Sequence, residues 1–299
     1  MHYQGIRSLI AGLLDVKEDE ISNIEVIKKG MTNNSFTFDL KGERYIIRMP
    51  GEGTSKLINR KQEAEVYGEI EKYGLCDDLL FINSDNGIKI TKFYTNARVC
   101  NSKDQKDVVK CMNQLKKFHN LRIEVKHDFD LIEQINYYES LWGDIKSAYT
   151  DYEFTKERAL QLYSFIENNI EEKVLAHIDA VPDNFLFVDN KASEIVKLID
   201  WEYSGMQDPH IDIAMFAIYS MYNKEEIDKL IDIYFDNKCS EKCRVKIYCY
   251  VSLCGLLWSN WCEYKKIFGI DFGEYADAQY KYAKDYCEIA KSEIDKRGW

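Results

Sequence analysis

The sequence is poor in proline and histidine and has no long apolar run. It contains 3 prolines and 5 histidines among 299 residues, whereas globular chains contain about 5% proline. No apolar segment approaches the roughly 18 residues of a membrane-spanning helix, which argues against membrane insertion. The apolar stretch at residues 6–14 is interrupted by Arg7 and Ser8, so it lacks the pattern of a secretory signal. We therefore expect a cytoplasmic protein.

The nine cysteines form no C-x-x-C pair. In a chain without an export signal they indicate free thiols in a reducing compartment. Cys239 and Cys243 are one helical turn apart, and Cys249 and Cys254 follow, but no histidine lies beyond residue 210. We interpret these cysteines as small buried side chains, with a zinc site as the alternative.

Acidic residues outnumber basic ones. The chain carries 51 acidic and 40 basic side chains, for a formal net charge of −11. Such a surface repels phosphate backbones and attracts cations. Nucleic acid is therefore an unfavourable partner, and a cationic small molecule is a favourable one.

The first third of the chain alternates between strand and helix patterns. Helical periodicity covers residues 6–14 and 57–73, the second helix ending at Gly74. The strand patterns are residues 23–28, 35–40, 43–49, 79–83 and 87–93. Five strands with one main helix predict an α+β N-terminal domain over residues 1–94.

The remainder, residues 95–299, is mostly helical. The periodic segments lie near residues 104–120, 129–147, 153–170, 208–222, 224–236, 241–266 and 273–296. One β interruption comprises residues 174–175, 185–188 and 195–199, and its last two runs predict a hairpin. We expect a second, larger helical domain that carries this embedded hairpin.

A motif with the spacing of a kinase catalytic loop lies in that β interruption. His177, Asp179 and Asn184 form H-x-D-x-x-x-x-N, in which the Asp accepts a hydroxyl proton and the Asn holds Mg²⁺. Asp200 follows sixteen residues later at the end of an apolar strand, a suitable place for a second metal ligand. Ordinary loop acids with a capping Asn are the alternative, but the combination favours phosphoryl transfer.

Two blocks of sequence around this motif resemble the signature blocks of the choline/ethanolamine kinases. They are residues 175–187 and 198–214, and within the family they look most like bacterial choline kinases. The stretch Asp200–Tyr203 is the most discriminating part, and the resemblance extends from residue 30 to about residue 282. It implies a bilobal protein-kinase-like fold of the aminoglycoside-phosphotransferase-like superfamily, with ATP and Mg²⁺ as cofactors.

The resemblance also implies roles for the acidic residues. Asp179 would be the catalytic base, Asn184 and Asp200 would bind Mg²⁺, and Glu202 would be an auxiliary acid on the metal or substrate side. His177 and Asp212 would support the catalytic loop, Asp212 by hydrogen bonding to it. Asp212 also precedes an apolar helical segment, so a helix N-cap is an equally good interpretation, and both could hold.

Three segments of the N-terminal domain match the nucleotide-binding parts of the family. The loop with Gly30, Thr32 and Asn33 resembles the loop that covers the ATP phosphates in this family. Its glycine permits close approach of the main chain to the phosphates, and the other two residues can donate hydrogen bonds to phosphate oxygens. A plain β-turn is the alternative. The loop departs from G-x-G-x-x-G, which disfavours a protein substrate. The residues expected at the interlobe hinge, against adenine, are Lys92, Phe93 and Tyr94.

Arg48 ends a predicted strand where protein kinases keep a phosphate-binding lysine. Its planar charged fork suits phosphate oxygens. Glu63 lies on the apolar face of the next helix, and a carboxylate there requires a cation, for which Arg48 is the candidate. A solvated Glu63 is the alternative.

Aromatic residues are concentrated near the C-terminus. Trp258 and Tyr275 lie in blocks, residues 257–259 and 271–275, that resemble the family's choline pocket. Trp261 is three residues after Trp258 on the same helical face, and Tyr219 or Tyr222 could complete the site. Aromatic faces bind quaternary ammonium groups through cation–π attraction. The alternative is an ordinary aromatic core.

One position departs from the animal relatives. They have a tryptophan three positions before the equivalent of Trp258, whereas this chain has Gly255. Trp261 is the candidate substitute.

The pattern favours an ATP- and Mg²⁺-dependent choline kinase with a small-molecule substrate. Ethanolamine kinase and aminoglycoside phosphotransferase are alternatives, and a catalytically idle protein that binds a cationic metabolite is a fourth hypothesis.

Overall fold

The computed structural model describes residues 3–29, 33–51, 57–190 and 193–299. The chain divides into two compact units, Met1–Cys100 with Asp183–Ser204, and Asn101–Pro182 with Gly205–Trp299. Residues 183–204, which include Asn184 of the H-x-D-x-x-x-x-N motif, therefore pack with the N-terminal unit. A functional domain boundary at residues 94 and 95 stays a prediction.

The helices and strands of the described residues follow the expected order. The helices are α1 (Tyr3–Leu14), α2 (Arg60–Ile70), α3 (Gln105–His119), α4 (Leu131–Ser140), α5 (Tyr152–Leu160), α6 (Tyr163–Glu167), α7 (Ile211–Tyr219), α8 (Lys224–Tyr234), α9 (Glu241–Ile267) and α10 (Glu274–Arg297). The strands are β1 (Ile21–Lys29), β2 (Asn33–Leu40), β3 (Glu43–Pro50), β4 (Leu79–Ile82), β5 (Lys89–Lys92), β6 (Arg98–Val99), β7 (Val174–Ala176), β8 (Phe185–Asn190), β9 (Ser193–Leu198) and β10 (Gly205–Gln207).

The first unit is built on an antiparallel five-stranded sheet in the order β1-β2-β3-β5-β4. Helix α1 covers it because Ile6 and Ile10 share one face and are fully buried. They pack with Phe38, Ile47 and Ile90 from three different strands. Burial of each such side chain stabilises the fold by about 1.5–3 kcal/mol.

A second sheet of the first unit carries the predicted hairpin. It has the antiparallel order β6-β8-β9. Phe185 pairs with Leu198 at the end of the hairpin, and both are fully buried. This pairing places Asn184 and Ile199, the residues just outside the pair, next to each other.

The second unit is mostly helical, with α9 against α10, α7 and α4. Strands β7 and β10 form a short antiparallel pair. The long helix α9 is buried over most of its surface: residues 245–260, 262, 264 and 265 are buried. Of the helices in the described ranges, none is long and apolar enough to cross a membrane.

The α+β fold class, with an N-terminal antiparallel sheet and a helical C-terminal part, is confirmed. Several predicted helices are shorter than expected, and two of them differ most. The helix predicted over 129–147 ends at Ser140, before Gly143 at φ +64°, and the one over 153–170 is two helices, α5 and α6. Strands β6 and β10 were not predicted, because two or three residues are too few to show a period-2 pattern.

Candidate active site

A buried ion-pair cluster connects β3, β5 and α2 in the first unit. Antiparallel register places Arg48 opposite Lys89, and both cations approach Glu63. Arg48 Nη2 lies 2.5 Å from Glu63 Oε1, and Lys89 Nζ lies 3.2 Å from the same oxygen. The Glu63 side chain is 0% exposed, so the carboxylate predicted on the apolar face of α2 is paired and not solvated.

The residues that follow β9 complete the cluster. Asp200 hydrogen-bonds Arg48 Nη1, and Glu202 Oε2 lies 3.2 Å from Arg48 Nη2 and 3.4 Å from Arg60 Nη1. Arg60 also pairs with Glu63, at 2.9 Å. Three carboxylates and three cations therefore balance one another.

The charges of the cluster act on one another. Burial alone would raise the pKa of Glu63, but Lys89 and Arg48 outweigh it and hold that pKa below its ordinary value. Burial, with the nearby Asp200 charge, raises the pKa of Glu202 to about 7. The pKa of Arg48 is raised by the three carboxylates in spite of its burial. Arg48 is thus a permanent positive charge within this unit.

The donor set fits a hard divalent cation at Asp200. The carboxylates of Glu63, Asp200 and Glu202 offer oxygens within 4.8 Å of one another, and Mg²⁺ prefers such oxygens together with water. The Asp200 side chain is 32% exposed, whereas Glu63 is enclosed. Asn184 lies beside this position, because its carbonyl accepts the N–H of Ile199 at 3.0 Å. Asp200 is thus more accessible than Glu63, and the main chain of Asn184 lies next to it.

Asp200 has a left-handed backbone conformation, with φ +67°. Non-glycine residues rarely adopt it, and where they do the surrounding structure must enforce it. Here Trp201 is 0% exposed and its Nε1–H donates to the Leu198 carbonyl at 3.0 Å. The buried indole fixes the turn that directs Asp200.

The loop with Asp179 belongs to the second unit and is held by Asp212. The Asp212 carboxylate accepts the N–H of His177 at 2.8 Å and that of Ile178 at 2.7 Å. Helix α7 begins at Ile211, with His210 in the N-cap position and no side-chain cap. Asp212 therefore ties the loop rather than capping the helix, and the N-cap interpretation is wrong.

His119 and Tyr234 extend this network and were missed in the sequence. Asp212 Oδ2 lies 2.9 Å from His119 Nε2, and His119 Nδ1 lies 2.7 Å from the Tyr234 hydroxyl. Since a carboxylate accepts, Nε2–H is the donor and Nδ1 accepts from tyrosine. His119 and Asp212 are 93 positions apart, so no local sequence pattern predicts their contact.

A row of aromatic rings, all but one of them half-buried, lies in the second unit. Tyr219 packs against Tyr275 with centroids 6.0 Å apart, and Tyr275 packs against Phe272 at 6.2 Å. Phe272 lies 5.0 Å from Trp261, which lies 5.6 Å from Trp258. We call these five residues the aromatic row.

Asp179 is electrostatically coupled to the aromatic row. Burial raises the pKa of Tyr275 well above its ordinary value, and nearby groups that include Asp179 raise it further. Asp179 itself is half-buried. The predicted base and the predicted cation site are therefore neighbours within one unit.

Two candidate residues of the cation site have other partners. Tyr222 donates its hydroxyl to the Ser102 carbonyl, and Lys103 Nζ lies 5.1 Å from its ring centroid. The structure does not place Tyr222 in the aromatic row. Lys265 Nζ lies 5.3 Å from the Trp261 centroid, so one face of Trp261 contacts a cation of this chain.

Gly255 lies in close contact with the backbone of α10. A Cβ atom there would lie 2.7 Å from the Gln279 carbonyl oxygen and 2.9 Å from the Ala283 nitrogen. No aromatic side chain fits at this position without moving α10. The packing of α9 on α10 therefore excludes a tryptophan at Gly255 in this chain.

The nucleotide-binding candidates are only partly described. Gly30 and Thr32 lie outside the described residues, and so does the side chain of Asn33, which begins β2. At the predicted hinge, the N–H of Lys92 donates to the Asp78 carbonyl and that of Phe93 to the Arg44 carbonyl. The N–H groups of Lys92 and Phe93 are thus already hydrogen-bonded, and Tyr94 is the next residue of the hinge.

The cysteine group does not form a metal site. Cys243 Sγ lies 3.8 Å from His210 Nδ1, but Glu63, Asp200 and Glu202 are the one group of three ligating side chains found across the described ranges. Cys249 and Cys254 are buried. The interpretation of small, mostly buried thiols fits this arrangement better than zinc.

The family model for choline/ethanolamine kinase matches residues 24–252. The chain belongs to this family. It is therefore a small-molecule kinase, and the resemblance in its signature blocks is confirmed.

Among curated relatives of this kinase, protein LicA of Haemophilus influenzae is 27% identical over 273 residues, which cover 85% of this chain and 99% of that protein. Among solved structures, choline kinase LicA from Streptococcus pneumoniae is 29% identical with a TM-score of 0.81, covering 96% of this chain and 98% of that chain. A structure of LicA in complex with AMP has 28% identity and a TM-score of 0.80, with the same coverage.

Proposed function

We propose that this kinase transfers the γ-phosphate of ATP to the hydroxyl of choline. One observation carries the proposal: Asp179, in the H-x-D-x-x-x-x-N motif, lies in the same unit as the aromatic row, and its charge contributes to the raised pKa of Tyr275 in that row. A base beside a cation-binding surface suits an amino alcohol, because only a short carbon chain separates the hydroxyl of such a substrate from its charged nitrogen. Relatives described as choline kinase support this choice.

Asp179 acts as the general base. Its half-buried carboxylate orients the substrate hydroxyl and accepts its proton as the oxygen attacks phosphorus. Asp212 supports it by holding the two preceding residues through their N–H groups. In phosphoryl transfer most of the catalysis is positioning, so this rigidity has a direct effect on rate.

Arg48 and the hinge bind the nucleotide. The Arg48 guanidinium is held by Glu63 and Glu202 and contributes a fixed positive charge for phosphate oxygens. Lys92, Phe93 and Tyr94 contact adenine, with Tyr94 as the donor because the N–H groups of the other two are already bonded.

The loop of Gly30, Thr32 and Asn33 covers the phosphates. The AMP complex of LicA supports nucleotide binding in this family.

Asn184 and Asp200 hold Mg²⁺, with Glu202 as a nearby acid that keeps Arg48 in place. When bound, the metal neutralises charge on the transferred phosphoryl group. The exposure of Asp200 and the hydrogen bond between Ile199 and the Asn184 carbonyl support this assignment.

The aromatic row binds the trimethylammonium group. A quaternary nitrogen has no N–H to donate, so ring faces provide its main attraction, at about 0.5–2 kcal/mol per ring. Tyr219, Tyr275 and Trp261 are half-buried and present ring surface, whereas Trp258 is buried and donates its Nε1–H to Met215 Sδ. Tyr275 is the ring whose pKa is affected by the charge of Asp179, the proposed base.

The proposal is tested by comparing acceptors. Initial rates with Mg²⁺-ATP are measured for choline, ethanolamine and kanamycin, with the products identified by mass spectrometry. We expect the highest kcat/KM for choline, since the row favours a quaternary nitrogen. A higher kcat/KM for ethanolamine or kanamycin would contradict the choice of choline and leave phosphoryl transfer intact. ATP binding without product formation from any of the three acceptors would favour a catalytically idle protein that binds a cationic metabolite.

A further inference from the structure

Lys197 is a buried cation on β9, three residues before Asp200. The residue is only 7% exposed. Its Nζ donates to the Cys76 carbonyl at 2.9 Å and to Asp78 Oδ1 at 2.8 Å. A buried lysine is costly unless it is paired and hydrogen-bonded, and here both acceptors come from one short segment, residues 76–78.

The main chain makes a contact at the same place. The N–H of Leu198 donates to the Leu75 carbonyl at 2.8 Å, and Leu198 forms a parallel bridge with Cys76. Main chain and side chain thus attach the end of β9 to the segment 75–78. Strand β9 is then held at its end by this segment and along its length by β8.

This attachment determines where the proposed metal ligands lie. Asp200 lies two residues after the end of β9, and Asn184 immediately precedes β8 and accepts the N–H of Ile199. Both residues therefore move with the end of the hairpin that Lys197 holds. Groups behind the ligands of a metal commonly set its affinity, because they orient the ligand oxygens.

The same lysine is connected to the predicted adenine hinge. Its Nζ lies 5.7 Å from the ring centroid of Tyr94. The Asp78 carbonyl accepts the N–H of Lys92 at 2.8 Å. Burial would raise the pKa of the Asp78 carboxyl, but the hydrogen bond from Lys197 lowers it below the ordinary value. Asp78 is thus a shared partner of the hinge and of β9.

We propose that Lys197 is a positioning residue that fixes Asn184 and Asp200 for divalent-cation binding. This rests on the proposed function, in which these two residues hold Mg²⁺. Lys197 itself contacts neither the metal nor the substrates. Its effect is transmitted through the end of β9.

The test compares K197M and K197R in the full chain. Two quantities are measured: the Mg²⁺ concentration that gives half-maximal rate, and the Mg²⁺-dependent affinity for ADP by calorimetry, which requires no turnover. We expect K197M to raise the half-saturating Mg²⁺ concentration about tenfold or more and to weaken Mg²⁺-dependent ADP binding. The KM for choline should stay within about twofold, because the cation site lies in the other unit. K197R should restore most of the affinity, since arginine can also donate to both acceptors.

Lys246 provides a matched control. It is also buried, and it also contacts one carboxylate and one carbonyl: Asp208 Oδ2 at 2.6 Å and the Asn169 carbonyl at 2.9 Å. K246M should lower the stability to a similar degree and leave the Mg²⁺ dependence unchanged. Equal effects of K197M and K246M on the Mg²⁺ dependence would show a general loss of structure and overturn the proposal.

If K197M does not fold, D78N replaces it, because it weakens one of the two contacts of Lys197 while leaving the lysine and the Cys76 carbonyl. A rise in the half-saturating Mg²⁺ concentration supports the proposal, and no change in a folded variant overturns it. Mg²⁺-dependent ADP binding by the wild type distinguishes a failure of this proposal from a failure of the proposed metal site. If the wild type shows no Mg²⁺-dependent ADP binding, the proposed metal site is wrong, and the role of Lys197 is wrong with it.

Discussion

Asp212 accepts a hydrogen bond from the N–H of Ile178 at 2.7 Å and so holds a β-branched residue at φ +68°. Such a conformation costs about 1–3 kcal/mol and persists only where its surroundings impose it. Asp179 is the next residue. Its direction is therefore set by a buried carboxylate on α7 and not by local preference, because isoleucine favours an extended backbone.

We predict that D212N lowers kcat about 100-fold with little change in the KM for choline. The asparagine keeps the size of the side chain but presents an N–H₂ group to one of the N–H donors, which displaces Asp179. Leaving a buried donor unsatisfied also lowers the free energy of unfolding by about 1–3 kcal/mol. Steady-state kinetics and urea unfolding measure the two effects.

D130N is the matched control for this substitution. Asp130 also accepts two backbone N–H groups, those of Ile132 and Glu133, at the start of α4. Asparagine is an equally good N-cap, so activity and stability should be unchanged. Wild-type kcat in a folded D212N would show that Asp179 does not depend on this carboxylate.

We predict that D179N lowers kcat by about 10²- to 10⁴-fold, the usual contribution of a general base. The folded state should be retained, since Asp179 is half-buried and the loop is held by Asp212. Nucleotide affinity, measured by calorimetry, should change little. A variant that keeps half of the wild-type activity would contradict the role of Asp179.

We predict that Y275A raises the KM for choline roughly 2- to 30-fold, the equivalent of about 0.5–2 kcal/mol of cation–π attraction. Y275F should behave like the wild type, because the ring face and not the hydroxyl attracts the cation. The measurement is the KM for choline at saturating Mg²⁺-ATP.

The control for the aromatic row is Y149A. Tyr149 stacks on Tyr280 with centroids 3.8 Å apart, outside the row. Its removal should lower stability and leave the KM for choline unchanged. If Y275A and Y149A changed this KM equally, the row would be ordinary packing rather than a binding surface.

We predict that His210 stabilises the fold at neutral pH and loses this effect in alkali. Asp208 lies 2.9 Å from its Nδ1, Cys243 lies 3.8 Å away, Tyr234 packs on the ring, and Lys246 reaches it through Asp208. Burial would lower the pKa of His210, but the hydrogen bond to Asp208 raises it to about 9.

The direction of the pH effect follows from this raised pKa. The unfolded histidine titrates near pH 6.5, so the stabilisation is complete below about pH 6.5 and is lost as the pH rises through about 9. The shift corresponds to at most about 3 kcal/mol. Urea unfolding of the wild type and H210Q at pH 6.5 and 10 checks it: the difference between the two proteins should shrink at pH 10. A constant difference would contradict the prediction.

Local patterns predicted most elements and many site candidates. The period of the apolar residues gave α3, α8, α9 and α10 nearly to their ends, because each helix buries one continuous face or more. The spacing of Asp179 and Asn184 and the strand end at Asp200 could be recognised because a phosphoryl-transfer site requires these groups a fixed loop apart.

Contacts between distant elements could not be predicted in this way. Lys89 joins Glu63 because the register of β3 and β5 places it opposite Arg48, and register depends on the whole sheet. His119 meets Asp212 only once α3 has packed against α8 and β7. Tyr222 and Tyr219 are three residues apart on the chain, yet Tyr222 follows the end of α7 and turns to Ser102.

The most direct test of the proposed function is the stoichiometry of the reaction. The full chain is incubated with Mg²⁺-ATP and choline, and ADP and phosphocholine are quantified in the same sample, with D179N in parallel. We expect one phosphocholine for each ADP from the wild type and almost none of either from D179N. ADP formation without phosphocholine, or equal phosphocholine formation by D179N, would contradict the proposal that Asp179 activates choline for phosphoryl transfer.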